Sequence, residues 1–490
     1  MSNLWALDDV EPSVQAPNVI NSVAGQIGER HWCVSDLAAL RSADQVMESS
    51  QERSVPVKAG EKGRFFDLSL GYKWDRFFLV LFLISIALRV IWLDVPSGYG
   101  TGGTLIFDEY YYVNVARNLL GWPQGPDPTK IPYPNALPGT DPNQEHPPLA
   151  KLMIAASMKL LGDNAWGWRL PSVIMGSVSI LLFYLLMKKT SKNGKYSFLA
   201  TFLFSFDNLI YVDSRIAILD IFTLAFMLLG FYLYFSERTK LSAVALALST
   251  LTKIGGVYGF LVIVIFHVLR DVRPNELIKK WRSILIPKLK WLLPFTFYYA
   301  ATGFTLLFVL DQFVSHRDPF DHIRFIYSYT LALVRAAPVG IESRPLDWLF
   351  NQVPIPYLGV SVTTGGTTIQ TIAFWGAMNP FILYLTIPAM IYALYRYDEK
   401  NSQLALLMLC WFAATYFPFF PLSYIGNRIS YIFYFQNTVP AVAGAVALMF
   451  SNKNVPRSVL LAYVFFVLVG FWFDTPFSYA AFPFRKVPPN

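Results

Sequence analysis

Apolar residues recur along this chain in runs close to the length a helix needs to cross a bilayer. A hydrocarbon core of about 30 Å takes roughly 20 helical residues. Such runs fall at 75–93, 166–187, 196–213, 215–235, 241–253, 256–270, 291–314, 373–395, 403–423, 430–450 and 456–473. In lipid, every backbone polar group must be satisfied within the segment or within a closed barrel, and runs of this length point to helices. The composition agrees: 54% of the residues are hydrophobic and only 15% charged, against roughly 25% charged in soluble domains. The chain is therefore predicted to be an all-α polytopic membrane protein with about eleven transmembrane helices. The runs at 241–253 and 256–270 are brief and are separated by Gly255-Gly256.

The loops set the orientation. Lys and Arg gather at 188–195, 238–240, 270–290 and 453–457, which fall on one side when eleven spans are counted. The positive-inside bias makes that side cytoplasmic. These loops account for the net charge of +8 without a nucleic-acid partner. The organisation expected is a polar, disordered cytoplasmic tail over 1–70, a transmembrane core over 71–270, an amphipathic basic segment at the interface over 271–290, further helices over 291–473, and an external tail over 474–490. The loops 94–165 and 315–372 are then external. The tail has no basic segment leading into an apolar core, so no cleavable signal peptide is expected. Cys33 and Cys410 imply no disulfide framework.

Several charged residues stand in or beside apolar runs, where ionisable groups are expensive and normally face the bundle interior. By the expected topology Asp108, Glu109, His146, Lys151, Arg169, Asp207, Asp213, Arg215, Asp220, Lys253 and Arg428 all converge on the external face. Asp108-Glu109, inside Phe107-Asp108-Glu109-Tyr110-Tyr111-Tyr112, reads either as a solvated pair at the start of a helix over 109–120 or as an acid walled by aromatics, whose pKa rises until it can act as a base. His146 has no second His at helical spacing, which leaves a metal site unsupported. In His146-Pro147-Pro148-Leu149-Ala150-Lys151 the prolines suit a helix start. Arg169 and Lys253 are cations on the side the bias disfavours; they read as snorkelling residues or as partners for an anion such as a lipid phosphate. Asp207, Arg215 and Asp220 surround one turn, where Arg215 and Asp220 are expected to form a structural ion pair. Arg428 opens a segment rich in Tyr and Phe, and interfacial anchoring accounts for those aromatics as well as ligand stacking does.

In this order and topology the motifs Phe107-Asp108-Glu109, His146 to Lys151, Arg169, Ser214-Arg215 with Leu219-Asp220, and Lys253 before a glycine resemble those of the protein O-mannosyltransferase family. These are GT-C glycosyltransferases that use dolichyl-phosphate mannose. The resemblance is strong over about 75–270 and weaker beyond. It implies a GT-C fold, with mannose transferred from a polyprenyl phosphate to Ser/Thr hydroxyls of exported proteins by a single inverting displacement. It further implies Asp108 as the base, Glu109 placing the acceptor, Arg169 and Lys253 on the donor phosphate, and His146, Lys151, Asp207, Arg215, Asp220 and Arg428 as supporting pocket. A cofactor is not specified; a divalent cation is compatible and none is required. Eukaryotic members carry a large soluble β-rich insertion before the eighth span, whereas here that loop is only 315–372. This favours a prokaryotic-type member in the plasma membrane over one in the endoplasmic reticulum. Two alternatives stay open: transfer of another lipid-linked sugar to a lipid or cell-wall glycan, and a transporter. A transporter should show internal repeats with broken helices, and no such repeat is visible.

Overall fold

The computed structural model describes residues 68–94, 105–125, 131–270, 272, 274–335, 340–364, 367–400, 402–473 and 475. The expected cytoplasmic tail lies outside the described residues except for 68–70, and the expected external tail except for Thr475. The chain separates into Met1–Phe65 and Phe66–Asn490, and only the second unit is described.

That unit is helical almost throughout. In order it contains α1 (Lys73–Val90), α2 (Glu109–Leu119), α3 (Leu149–Leu161), α4 (Ala165–Ser191), α5 (Gly194–Ser205), α6 (Asn208–Asp213), α7 (Asp220–Phe235), α8 (Thr239–Thr252), α9 (Val257–Leu269), α10 (Pro274–Val314), α11 (Pro319–Ala332) and α12 (Pro345–Trp348). A hairpin of β1 (Ile355–Thr364) and β2 (Thr367–Gly376) follows, then α13 (Pro380–Leu383), α14 (Thr386–Lys400), α15 (Gln403–Tyr416), α16 (Val439–Phe450) and α17 (Arg457–Phe473). Four helical stretches among the described residues are long and apolar enough to cross a membrane: Ala165–Ser191, Ile286–Val314, Gln403–Ile425 and Ile432–Phe450. Asp220–Phe235, Thr239–Thr252, Ile254–Leu269 and Arg457–Phe473 are shorter and also apolar. The figure of eleven is not established by these lengths.

α4 is apolar on every face, the pattern of a helix surrounded by others, and it packs against α3, α5 and α7. Its start is fixed by Asn164, whose side chain accepts from the backbone N–H groups of Trp166 and Gly167. Its middle is closed by Phe183 against Phe204 and Trp411, with Phe231 edge-on to the same indole. Gly176 lets the turn after α6 come close: a Cβ there would stand 2.3 Å from Ser214 Cβ. That turn is clamped to the end of α1. Arg89 Nε donates to Ser214 Oγ at 2.7 Å, and Arg215 donates to the carbonyls of Leu88, Ile91 and Trp92. Cations suit a helix C-terminus, where carbonyls lack intrahelical partners.

Two boundaries differ from those expected. The apolar run 373–395 begins inside β2, where the density of β-branched residues over Thr367–Ile372 favours a strand. Helix resumes at Pro380, with Asn379 capping Phe381 N. The basic segment 274–290 and the run 291–314 are continuous in α10, despite Pro287 and Pro294 within it.

Candidate active site

α2 begins in an unusual turn. Phe107 has a φ of 51°, the left-handed region that bulky residues avoid. Asp108 follows at the N-cap position of α2 but makes no side-chain capping bond. Its carboxyl is pushed up to about 7, first by burial, with Lys253 lowering it and Asp220 raising it.

Glu109 differs from Asp108 in its surroundings. It is fully buried. One oxygen accepts from Arg169 Nε at 2.8 Å and Ala217 N at 2.9 Å; the other accepts from Arg169 Nη2 at 2.9 Å and Ile106 N at 2.8 Å. Arg169, 1% exposed, also donates to the Leu93 carbonyl at 2.9 Å. The residues expected on the acceptor and on the phosphate are thus brought together in one buried, bidentate ion pair. This pair ties α2, α4, the end of α1 and the turn before α7 into a single assembly.

Lys253 stands between α8 and the turn Ile254–Gly256. Its ammonium lies 2.9 and 2.7 Å from the two Asp220 oxygens and over the rings of Phe433 and Tyr434, at 5.0 and 5.6 Å. The expected Arg215–Asp220 ion pair therefore gives way to Lys253–Asp220, because Arg215 is turned towards the α1 carbonyls. Arg428 donates to the Thr330 and Ile429 carbonyls and lies over Tyr434 at 5.7 Å.

Lys253, Asp220, His146, Arg428, Tyr258 and Tyr434 line one cavity of about 370 Å³. Its other walls are apolar, among them Ile323 and Ile326 of α11, Phe419 and Leu422. Burial, then Lys253, Lys151 and Arg428, hold the His146 imidazole well below its usual pKa, so the ring is neutral. The cavity joins a cationic end to an apolar channel, which suits an anion carried on a hydrocarbon chain.

Lys151 and Asp207, the remaining expected residues, are held in contacts within the fold. Lys151 pairs with Asp141 at 2.5 Å and donates to the carbonyls of Asn143 and His146. His322 Nε2 meets the Gln144 carbonyl at 2.8 Å while its Nδ1 faces Asp311, so the 141–146 loop is sewn to α10 and α11. Asp207 caps α6 through Ile210 N and accepts from Asn379 N. Among the described residues no group of three or more His, Cys, Asp or Glu is placed to hold a metal ion.

Sequence reasoning missed Tyr357 of β1. Its ring stacks on Phe107 at 4.2 Å and 14°, and Asp213, Asp220 and Asp108 all act on its hydroxyl. Nothing in the spacing of the chain links residue 357 to residue 107.

The chain is similar to several known proteins. Residues 145–309 match the family model described as dolichyl-phosphate-mannose-protein mannosyltransferase. A polyprenol-phosphate-mannose--protein mannosyltransferase of Corynebacterium glutamicum is 23% identical, over 75% of this chain and 82% of that protein. One of the same name from Mycolicibacterium smegmatis is 23% identical, over 81% and 86%. Among solved structures, the Saccharomyces cerevisiae protein O-mannosyltransferase Pmt1-Pmt2 complex bound to the sugar donor superimposes with a TM-score of 0.59 at 11% identity, covering 87% of this chain and 92% of that one. ArnT from Cupriavidus metallidurans gives 0.51 at 16% identity, covering 84% and 78%. The chain thus has the helical fold of the GT-C membrane glycosyltransferases and is similar, over residues 145–309, to the dolichyl-phosphate-mannose-protein mannosyltransferase family.

Proposed function

We propose that this enzyme moves mannose from a polyprenyl phosphate to a Ser or Thr hydroxyl of an exported protein, with Asp108 as the base. The carrying observation is the carboxyl of Asp108, pushed up to about 7 and acted on by Lys253 and Asp220, two residues that line a cavity with Arg428 and apolar walls. A base with a pKa near the working pH combines availability with driving force, and general base catalysis contributes typically 10²–10⁴-fold. Asp108 takes the acceptor proton as the hydroxyl oxygen attacks the anomeric carbon. The bond from that carbon to the phosphate oxygen breaks, its electron pair stays on the phosphate, and the anomeric configuration inverts. Polyprenyl phosphate leaves into the cavity.

Lys253 and Arg428 stabilise the charge that develops on the phosphate. Asp220 keeps the Lys253 ammonium in place until the donor arrives. The roles first expected for Glu109 and Arg169 pass to a supporting one: their mutual bonds hold the turn that presents Asp108. On this reading the site faces the exterior, opposite the basic loops, and the short 315–372 loop favours the plasma membrane over the endoplasmic reticulum.

Purified protein in lipid nanodiscs, given polyprenyl-phosphate mannose and a Ser/Thr-rich peptide, tests the reading. Asp108→Asn should lose at least about a hundredfold in turnover while still binding donor. A wild type that leaves the peptide unmodified but glycosylates a lipid acceptor would replace the protein acceptor with a lipid one, and an Asp108→Asn variant with wild-type turnover would remove the base assignment.

A further inference from the structure

We infer that Tyr357, on the hairpin of the 315–372 loop, is a positioning residue for Asp108 and acts through the ring of Phe107; this rests on the mannosyl-transfer reading above. Phe107 and Asp108 are consecutive, so the backbone conformation of Phe107 fixes the direction in which the Asp108 side chain leaves the chain. That conformation, φ 51°, is one a bulky residue holds only when its surroundings over-determine it.

The surroundings are aromatic. On one side the ring stacks on Tyr357 with centroids 4.2 Å apart and planes 14° from parallel. On another it meets the edge of Phe433 at 5.7 Å and 72°. Phe433 in turn lies under the Lys253 ammonium at 5.0 Å. The Phe107 ring is thus seated between the hairpin and the cationic end of the cavity.

Tyr357 is itself fixed. It is 4% exposed. The pairing of β1 with β2 is irregular from Pro356 to Gly359, and such a bulge re-aims a side chain. Across the hairpin, a Cβ added to Gly376 would lie 2.4–2.8 Å from atoms of the Tyr357 side chain, so the missing side chain is the space the ring occupies. The hairpin therefore reaches from one loop into the turn that presents the base in another. Offset aromatic pairs give directional attraction beyond area burial, which suits a contact that must hold an angle.

A merely structural Tyr357 would affect stability alone. A positioning one affects the chemical step, because a misplacement of about 1 Å can cost roughly a hundredfold. The test uses the full-length protein in nanodiscs, with Tyr357→Leu, Tyr357→Phe, Phe107→Leu and the double variant Phe107→Leu/Tyr357→Leu. Expected are a kcat at least about tenfold lower in Tyr357→Leu with the donor KM within about twofold of wild type, and a Tyr357→Phe enzyme that keeps most of its turnover. The double variant should be no worse than the poorer single one, since both remove one stack. If Tyr357→Leu does not insert, Phe107→Leu is read in its place.

A second readout is independent of turnover. The infrared carbonyl band of protonated Asp108, assigned by its loss in Asp108→Asn, should titrate at a lower pH in Tyr357→Leu, where water gains access, and unchanged in Tyr357→Phe. A wild-type kcat and titration in Tyr357→Leu, equal losses in the Phe and Leu variants, or multiplicative losses in the double variant would each overturn the inference. A wild type that transfers no mannose sinks the transfer reading instead, while the infrared titration still decides the placement of Asp108.

Discussion

The raised carboxyl of Asp108 makes a prediction about stability and activity together. Moving from the usual 3.8 to about 7 is roughly three pKa units, or about 4 kcal/mol at 1.36 kcal/mol per unit, an upper figure because the side chain is only partly shielded from solvent. The sign follows from linkage: the fold prefers the protonated acid, while the unfolded chain ionises near 4. The preference is fully present below pH 4, and it is lost as pH rises towards 7. Above pH 7 the native protein holds a charge that burial disfavours. Asp108→Asn should therefore abolish turnover and, at pH 8, resist heat better than wild type. That difference should shrink steadily as the pH falls to about 4. In the wild type, kcat/KM should rise with pH along a single-proton limb centred near 7 and level off above it. Thermal unfolding of both proteins in nanodiscs across pH 4–8.5, with a pH–rate profile of the wild type, measures both effects. A flat profile between pH 5.5 and 8, or an Asn variant no more heat-resistant than wild type at pH 8, would refute the reasoning.

Other outcomes follow from the same geometry. Lys253→Met removes the charge that lowers the Asp108 carboxyl, so the acid limb should move above 7 and the donor KM rise; an unmoved limb would separate the two residues. Asp220→Asn removes a charge that raises it and should move the limb the opposite way. Glu109→Gln leaves the buried Arg169 guanidinium without its counter-charge and should destabilise by about 3–5 kcal/mol, read as loss of folded protein on gel filtration after heating. The double variant Glu109→Gln/Arg169→Met should recover most of that stability without recovering turnover.

The residues of the site were legible in the sequence, but their pairings were not. Charges in apolar surroundings mark themselves by cost, and by that signal Asp108, Glu109, Arg169, Asp220 and Lys253 were all picked out. Which cation meets which acid depends on a few ångströms of tertiary placement. Arg215 turned to the α1 carbonyls, and Asp220 took Lys253 instead. Run length misjudged the hairpin, because Phe374 and Trp375 are as apolar in a strand as in a helix. The basic segment and the run 291–314 read as separate pieces, yet α10 is continuous through Pro287 and Pro294; neighbouring helices and local adjustment re-satisfy the backbone groups that such prolines free.

The four donors around Glu109 bear on the order of the two acids. Aspartate is shorter than glutamate by one methylene, about 1.5 Å. Placed at 109, it could not reach Arg169, Ile106 N and Ala217 N together. On the proposed mechanism, a glutamate at 108 would overshoot the acceptor hydroxyl by the same length. Reversing the pair conserves charge, composition and hydropathy and still dismantles both halves of the arrangement, so reach, more than acidity, separates the scaffold acid from the reacting one.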